Sequence, residues 1–379
     1  MRIAFLCKRR YMGKDVILDR YARLYEIPRQ LAHLGHEVRG YCLSYQGQDA
    51  GDWVHEATPG SLTWQSRCFG NWIVPGLAAY PLRLLGELRQ FKPDVLVGAS
   101  DIPHVALGAW LSRKLNIPYV ADLYDNFEGF GQARIPGMVG ALRRGVRTAA
   151  LVTTTSEPLR RLVVESYGAA GHVMAMPSAV DKQVFRQYDK QESRHELSLP
   201  PDAMLIGTAG GLYQDKGIGT LYEAWPEIAD AWPQAHLVLA GPCDKPPPTG
   251  ARVHYLGQLP HATTAKLFSA LDLGVIYLRD TPFGRYCFPQ KAYEMMACGL
   301  PLVAARVGVM PDLLAGAPDS LYDADVAKDL VRAVRAQTQA PKFADVAIED
   351  WAQIMDRMNE CIMRIARSGQ RSDLTHHAT

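Results

Sequence analysis

Strand-length apolar runs recur through the first half of the chain at Ile3 to Cys7, Val38 to Leu43, Val95 to Ala99, Tyr119 to Leu123 and Leu151 to Thr155. Stretches of helical periodicity, such as Tyr21 to Leu34, separate them. A strand that is apolar on both faces has to be covered on both, so the alternation predicts an α/β architecture of parallel sheets flanked by helices. Ligands of such sheets sit beyond the carboxyl ends of the strands. The pattern resumes at Leu205 to Ala209, His236 to Ala240, Val253 to Leu256, Leu273 to Leu278 and Leu302 to Ala305. At 379 residues and 48% hydrophobic, the chain exceeds one ordinary core and suggests two domains. Trp53 to Trp72 shows no clear period and reads as a loop region. Asn71 to Leu88, with Trp72, Ile73, Val74 and Leu77, reads as a mostly buried helix.

A formal net charge of +2 is too small to point to nucleic acid, so an anionic partner must meet a local patch. Seven cysteines without a C-x-x-C spacing fit neither a disulfide framework nor a zinc site, and reduced thiols in the cytoplasm are the simplest expectation. The apolar start meets Lys8-Arg9-Arg10 too soon for a signal-peptide core, and no run is long enough to span a bilayer. The loop after the first run lacks G-x-G-x-x-G, which counts against a dehydrogenase. Gly13 on that loop allows a substrate to approach closely, although an ordinary turn accounts for it equally well.

The most informative string is Pro289-Gln290-Lys291-Ala292-Tyr293-Glu294-Met295-Met296-Ala297-Cys298-Gly299-Leu300-Pro301. Pro289 suits a helix start and Gly299 a left-handed stop. Lys291 and Glu294 then share a face near the helix's positive end, where a cation and amides suit phosphates and a carboxylate suits ribose hydroxyls. A surface ion pair is the competing reading for those two residues alone.

The whole string resembles the donor-binding segment of retaining glycosyltransferases with the GT-B fold, especially glycosyltransferase family 4. That resemblance implies two Rossmann-like domains facing a cleft, with a last helix crossing back to the first domain. It places an acceptor domain at 1–185, a linker at 186–200, a nucleotide-sugar domain at 201–345 and the crossing helix with a polar tail at 346–379. It also implies that Glu294 holds the donor ribose and that Lys216, in Gly210-Gly211-Leu212-Tyr213-Gln214-Asp215-Lys216-Gly217, meets the diphosphate. Gly210, Gly211 and Lys291 complete the phosphate side, and Arg285 and Tyr286 lie on the loop expected to contact the sugar. Relatives carry Arg where Gly211 stands and Glu where Tyr286 stands. Arg279 or Arg285 is available to replace the missing cation.

On the acceptor side, Asp122 and Asp125 leave a strand in Asp122-Leu123-Tyr124-Asp125, where a carboxylate can bond or deprotonate an acceptor hydroxyl. An Asx turn or helix cap is the alternative. The segment resembles Asp-x-His-Asp/Glu with Tyr124 in the His position, which favours Asp125. His104, in Asp101-Ile102-Pro103-His104, is a candidate contact of an acceptor hydroxyl or a donor phosphate, with a structural role as the alternative, and Tyr124 and Gly13 are candidate acceptor contacts. Six arginines between Arg134 and Arg161, interleaved with apolar residues, suit an anionic membrane surface or a solvated helix face. Ile348 to Ile365 reads as the last helix, with His376 and His377 on a disordered polar tail.

The expected activity is hexosyl transfer from a nucleotide diphosphate sugar, such as a UDP-sugar, to a hydroxyl of a glycan or lipid-linked glycan, with retention of configuration. The setting would be bacterial surface polysaccharide synthesis, in the cytoplasm or peripherally on the inner face of the membrane. No acidic metal cluster of the Asp-x-Asp kind is read in the sequence, so no metal or other cofactor is expected. The alternatives are a nucleotide-sugar-binding protein without transfer activity and a GT-B epimerase or hydrolase.

Overall fold

The structure, a computed structural model, describes residues 1–45, 47–68 and 73–376, with the side chains of 73–75, 77 and 369–376 left aside. The chain forms two units. The first takes Met1–Ser178 and the chain from Trp351 onward; the second is Ala179–Asp350.

The first unit is built on eight strands: β1 (Arg2–Lys8), β4 (Glu37–Ser44), β5 (Gly51–His55), β6 (Ser61–Cys68), β7 (Val95–Gly98), β8 (Tyr119–Leu123), β9 (Leu151–Thr154) and β10 (His172–Ala175). A separate antiparallel hairpin joins β2 (Arg10–Tyr11) to β3 (Lys14–Asp15). The sheet order is β10-β9-β8-β7-β1-β4-β6-β5, parallel except for the β5–β6 pair. The order runs outward in opposite directions from β1 and β7, which makes their carboxyl ends the switch point where crevices form.

The stretch from Trp53 to Trp72, expected to be loop, contains most of β5 and all of β6. β6 pairs with β4 from Ser61 to Cys68. Its period of two was present in the residues, because Leu62, Trp64 and Ser66 point inward while their neighbours are only partly covered. Residues 69–72, including Trp72, lie outside the described residues. The helix expected from Asn71 runs Ile73–Phe91 and buries Tyr80, Leu84, Leu85 and Leu88; Ile73, Val74 and Leu77 fall among the side chains left aside.

The second unit is a six-stranded parallel sheet of β11 (Met204–Ala209), β12 (Ala235–Ala240), β13 (Val253–Tyr255), β14 (Leu273–Ile276), β15 (Leu302–Ala305) and β16 (Leu321–Tyr322). Its order, β13-β12-β11-β14-β15-β16, is that of a dinucleotide-binding Rossmann sheet, with the reversal between β11 and β14. The expected linker at 186–200 belongs to this unit. Its helix Lys190–Glu196 buries Arg194, which donates to Ala270 O (3.0 Å), Pro201 O (2.5 Å) and Asp272 (2.7 Å). A cation that meets three acceptors can be buried, so charge alone misidentified the segment.

The last helix runs Trp351–His376, longer than expected, and packs on the first unit. Ile354, Met355, Met358 and Ile362 are buried, and Asn359 meets His36 at 2.7 Å. His376 is therefore helical and not on a disordered tail, while His377 lies outside the described residues.

Inside the first unit Arg23 and Asp122 form an ion pair with no exposed side-chain surface on either partner. The guanidinium fork donates to both carboxylate oxygens (2.5–3.1 Å) and to Met176 O (2.7 Å), and Thr153 adds a 2.6 Å bond to the carboxylate. Asp122 thus joins the first helix, Ala22–His33, to β8, β9 and the end of the unit. This corrects its expected place among the catalytic residues: its oxygens are committed inside the protein. Asp122→Ala leaves a buried guanidinium without its counter-ion, and we expect about 3–5 kcal/mol lower stability in urea unfolding of the whole chain.

Candidate functional site

In the second unit, the helix Gln290–Ala297 begins one residue after Pro289 and ends in a Schellman turn. Leu300 N–H donates to Met295 O, and Gly299 N–H, with φ +72°, donates to Met296 O. The helix places Lys291 at the carboxyl end of β11, over Gly210 and Gly211. A Cβ on Gly210 would lie 3.6 Å from Lys291 Nζ, and one on Gly211 3.4 Å from Lys216 Nζ. Two lysines from different segments therefore converge on the glycine pair. Gly241, just after β12, supports the pair: a Cβ there would lie 2.0 Å from Gly210 O, so the two strand ends pack backbone on backbone.

Lys291 Nζ lies 4.1 Å from the centroid of the Tyr277 ring, whose hydroxyl donates to Gly211 O at 2.7 Å. Burial, then the like charge of Lys216, pulls the Lys291 ammonium down to about 7; Glu294 and Cys287 act in the opposite direction. Burial pushes Glu294 up to about 7, against a 3.2 Å bond from Gln290 and the field of Lys291. Lys216 is bracketed by the rings of Tyr213 (5.2 Å) and Phe283 (5.8 Å). These are desolvated charges arranged to gain from an anion and a pair of hydroxyls.

Arg285 and Tyr286 lie on a short helix, Pro282–Tyr286, where a loop was expected. Arg285 is exposed and paired with Asp280 at 2.5 Å. Tyr286 is half-buried at the end of that helix. Arg279 is the arginine beside the cluster: a Cβ on Gly217 would lie 2.9 Å from its Cγ, and it pairs with Asp325 at 3.1 Å. Contrary to the expected lack of an Asp-x-Asp cluster, such a string occurs at Asp323-Ala324-Asp325, and its carboxylates face Arg306 (3.5 Å) and Arg279. Among the described residues no three His, Cys, Asp or Glu side chains gather as a metal site.

At the switch point of the first unit a cavity of about 300 Å³ is lined by Lys8, Arg10, Gly13, Asp101, Phe130 and Gln132. Tyr45 also lines it. Gly13, with φ +80°, turns the β2–β3 hairpin at this cavity. Lys8 ends β1 and its Nζ donates to the Tyr124 hydroxyl at 2.9 Å, so Tyr124 is engaged by a protein lysine. Burial lowers the Lys8 ammonium, opposed by Asp101, Cys7 and Asp125. Half-buried Asp125 accepts the Asn126 N–H at 2.7 Å, and desolvation still pushes its carboxyl up to about 6, against that bond and Lys8.

His104, expected to touch an acceptor, is 2% exposed and lies off the cavity wall. Its Nδ1 meets Asp101 Oδ1 at 2.6 Å and its backbone N–H donates to the same oxygen at 3.1 Å. It is a partner of Asp101 and not a surface of the cavity. Lys8 and Asp101 were missed as site residues; a lysine ending the first parallel strand and an acid opening the helix after β7 are signals that would have found both.

The arginine-rich stretch is partly spent on internal pairs. Arg143 bonds Glu128 (2.7 Å), Arg160 and Arg161 share Glu157, and Leu142 and Val146 are core. Arg134, Ile135, Arg144 and Arg147 remain exposed.

Residues 203–340 match the family model described as glycosyl transferases group 1, and residues 22–179 match the glycosyl transferase 4-like domain. A putative teichuronic acid biosynthesis glycosyltransferase of Bacillus subtilis is 25% identical over 311 residues, 76% of this chain and 76% of that protein. A D-inositol 3-phosphate glycosyltransferase of Segniliparus rotundus is 30% identical over 175 residues, 40% of this chain and 38% of that protein. One from Stackebrandtia nassauensis is 28% identical over 267 residues, 65% of this chain and 57% of its own length. The chain thus spans less than two thirds of these last two relatives. Sucrose-phosphate synthase of Thermosynechococcus elongatus superposes with a TM-score of 0.70 at 18% identity, over 100% of both chains. Anabaena HepE in complex with UDP superposes at 0.64 and 16% identity, over 96% of this chain and 100% of that one. These likenesses show the fold.

The paired shifts at Lys291 and Glu294 carry a pH signature. Lys291 holds its proton below about 7 and Glu294 is ionised above about 7. A ligand that needs the ammonium and the carboxylate together is held best near neutrality, so calorimetry with a nucleotide diphosphate sugar is expected to give an affinity maximum near pH 7, falling roughly ten-fold toward about pH 5.5 and about pH 8.5. Glu294→Gln removes the acid limb and Lys291→Met the alkaline limb.

Proposed function

The chain belongs to the group 1 glycosyl transferases with the GT-B fold, and we propose that it moves a sugar, with retained configuration, from a nucleotide diphosphate sugar to a hydroxyl of a glycan or lipid-linked glycan. The observation that carries this reading is the convergence of Lys216 and Lys291 on Gly210–Gly211, with Glu294 on the same helix as Lys291. In this reading the lysines meet the diphosphate, where negative charge grows as the sugar departs, and Glu294 takes the ribose hydroxyls. Arg279, whose Cγ lies beside Gly217 next to Lys216, is proposed as a further cation. Uridine as the base is supported by the UDP complexes of structural neighbours.

Asp125 is the group proposed to bond and deprotonate the acceptor hydroxyl. Its titration near 6 leaves it mostly ionised at neutral pH yet close enough to exchange a proton. The reaction is proposed to need no divalent metal, the lysines neutralising the diphosphate in its place. A role in surface polysaccharide synthesis draws support from the teichuronic acid relative. Exposed Arg134, Arg144 and Arg147 beside Ile135 support a peripheral contact with an anionic membrane. No helix among the described residues is long and apolar enough to cross a membrane.

Incubation with a panel of nucleotide diphosphate sugars tests the reading. Slow donor hydrolysis alone, and faster release of the nucleoside diphosphate with glycoside formed when an acceptor is added, are expected; epimer formation, or binding with no turnover, would overturn transfer. Glu294→Ala is expected to weaken nucleotide binding about 10- to 100-fold through loss of charge-assisted hydrogen bonds. Asp125→Asn is expected to slow transfer at least about 100-fold with nucleotide affinity unchanged. The wild-type transfer rate should fall as pH drops below about 6, where Asp125 gains a proton.

A further inference from the structure

The helix that carries Lys291 and Glu294 opens on a side chain to which the donor-binding reading gives no part. Gln290 is its first residue, one turn before Glu294, and the two share a face. The Gln290 amide makes two hydrogen bonds: Nε2 donates to Glu294 Oε1 at 3.2 Å and to the carbonyl oxygen of Ala179 at 3.2 Å. A carbonyl and an ionised carboxylate only accept, and the amide nitrogen carries two protons, so one proton for each partner fixes which end of the amide faces them. The opposite orientation would set acceptor against acceptor and leave both unpaired.

The anchor of this amide is backbone. Ala179 is 5% exposed and its neighbour Val180, 1% exposed, is part of the second unit's apolar core, so the carbonyl has a fixed place. Ala179 is also the first residue of that unit, which puts all three groups in one body. A buried carbonyl has to be paired, and Gln290 meets this one. Tied at one end, the amide is a rigid donor for Glu294, whose carboxylate would otherwise turn about its side-chain torsions. A carboxylate offers about four lone-pair directions. Gln290 takes one of them on Oε1, which leaves the group able to accept two adjacent hydroxyls such as those of a ribose.

Building on the reading of Glu294 as the ribose acceptor, we infer that Gln290 is a positioning residue for the donor nucleotide: its amide, anchored on Ala179 O, holds Glu294 Oε1 so that the carboxylate meets both ribose hydroxyls at once. Gln290 acts through Glu294 and not on the ligand, and discrimination between a ribose and a deoxy sugar passes through it. The same bond is given to the charged form of Glu294, so it opposes the rise of that carboxyl to about 7 that burial causes. Without it the carboxyl rises further, and the carboxylate is lost at a higher pH.

The probes are uridine, guanosine and adenosine diphosphates, each paired with its dideoxyribose analogue, which lacks both ribose hydroxyls, and titrated calorimetrically into the full chain. The wild type is expected to bind at least one ribonucleotide about 10- to 100-fold more tightly than its analogue. Gln290→Met keeps an unbranched side chain at this half-buried position and removes both donors. It is expected to weaken that ribonucleotide about ten-fold while the analogue keeps its wild-type affinity, which also shows that the variant is folded. In a Glu294→Ala background the same substitution should change nothing. The acid limb of the affinity profile should move to higher pH in Gln290→Met, with the alkaline limb set by Lys291 unmoved. A merely structural Gln290 would weaken ribonucleotide and analogue alike and leave the acid limb in place. That result, or an unchanged ribonucleotide affinity, overturns the inference while leaving donor binding intact. A wild type that binds ribonucleotide and analogue equally overturns the ribose role of Glu294 and this inference with it. Failure of every nucleotide to bind overturns the glycosyl-transfer reading itself.

Discussion

Charge held out of water at the carboxyl end of a parallel sheet is the constraint on which the candidate sites depend. Removing an ammonium or a carboxylate from water costs several kcal/mol unless a partner restores what hydration supplied. In the first unit one such pair is complete: Arg23 and Asp122 have no exposure and meet each other and further acceptors and donors on every side. At the switch points the same cost is left open. Lys8, Asp125, Lys291 and Glu294 are all displaced in titration by burial before any other cause. Completed pairs hold the framework; incomplete ones mark where a ligand belongs.

This distinction explains why two aspartates three residues apart take different parts. Asp122 is the fourth residue of β8 and lies under the sheet's helical cover, where Arg23 reaches it from the first helix. Asp125 lies beyond the strand end, half-buried, with the N–H of its neighbour and the field of Lys8 as partial compensation. Strand alternation and strand length alone separate them. The lysine that compensates Asp125 is itself the last residue of β1, so the switch-point geometry brings an acid and a base from distant positions to one crevice.

The framework strands were legible because each is a short unbroken apolar run, as burial on both faces demands. β6 was not, because Ser66 and Gln65 break the apolar signal although Leu62 and Trp64 keep the period. The segment at 186–200 was misread because composition cannot show that three acceptors await Arg194. The lysine and glutamate of the second unit were readable from one continuous string, since a helix fixes their relation locally. The first unit's cavity had no such string: Lys8, Asp101 and Gln132 come from separate segments and meet only after the sheet has formed.

The departure from the family pattern at Gly211 also acquires a physical sense. An arginine at position 211 would add a third cation over the glycine pair, where Lys216 already depresses Lys291. Further like charge would lower the Lys291 ammonium still more. Gly211 also leaves room for the Tyr213 ring, since a Cβ there would lie 2.5 Å from it, and that ring flanks Lys216. Losing the arginine therefore preserves the charge of the remaining two lysines, with Tyr277 beneath one and Tyr213 beside the other supplying the negative ring faces that make two close ammonium groups tolerable.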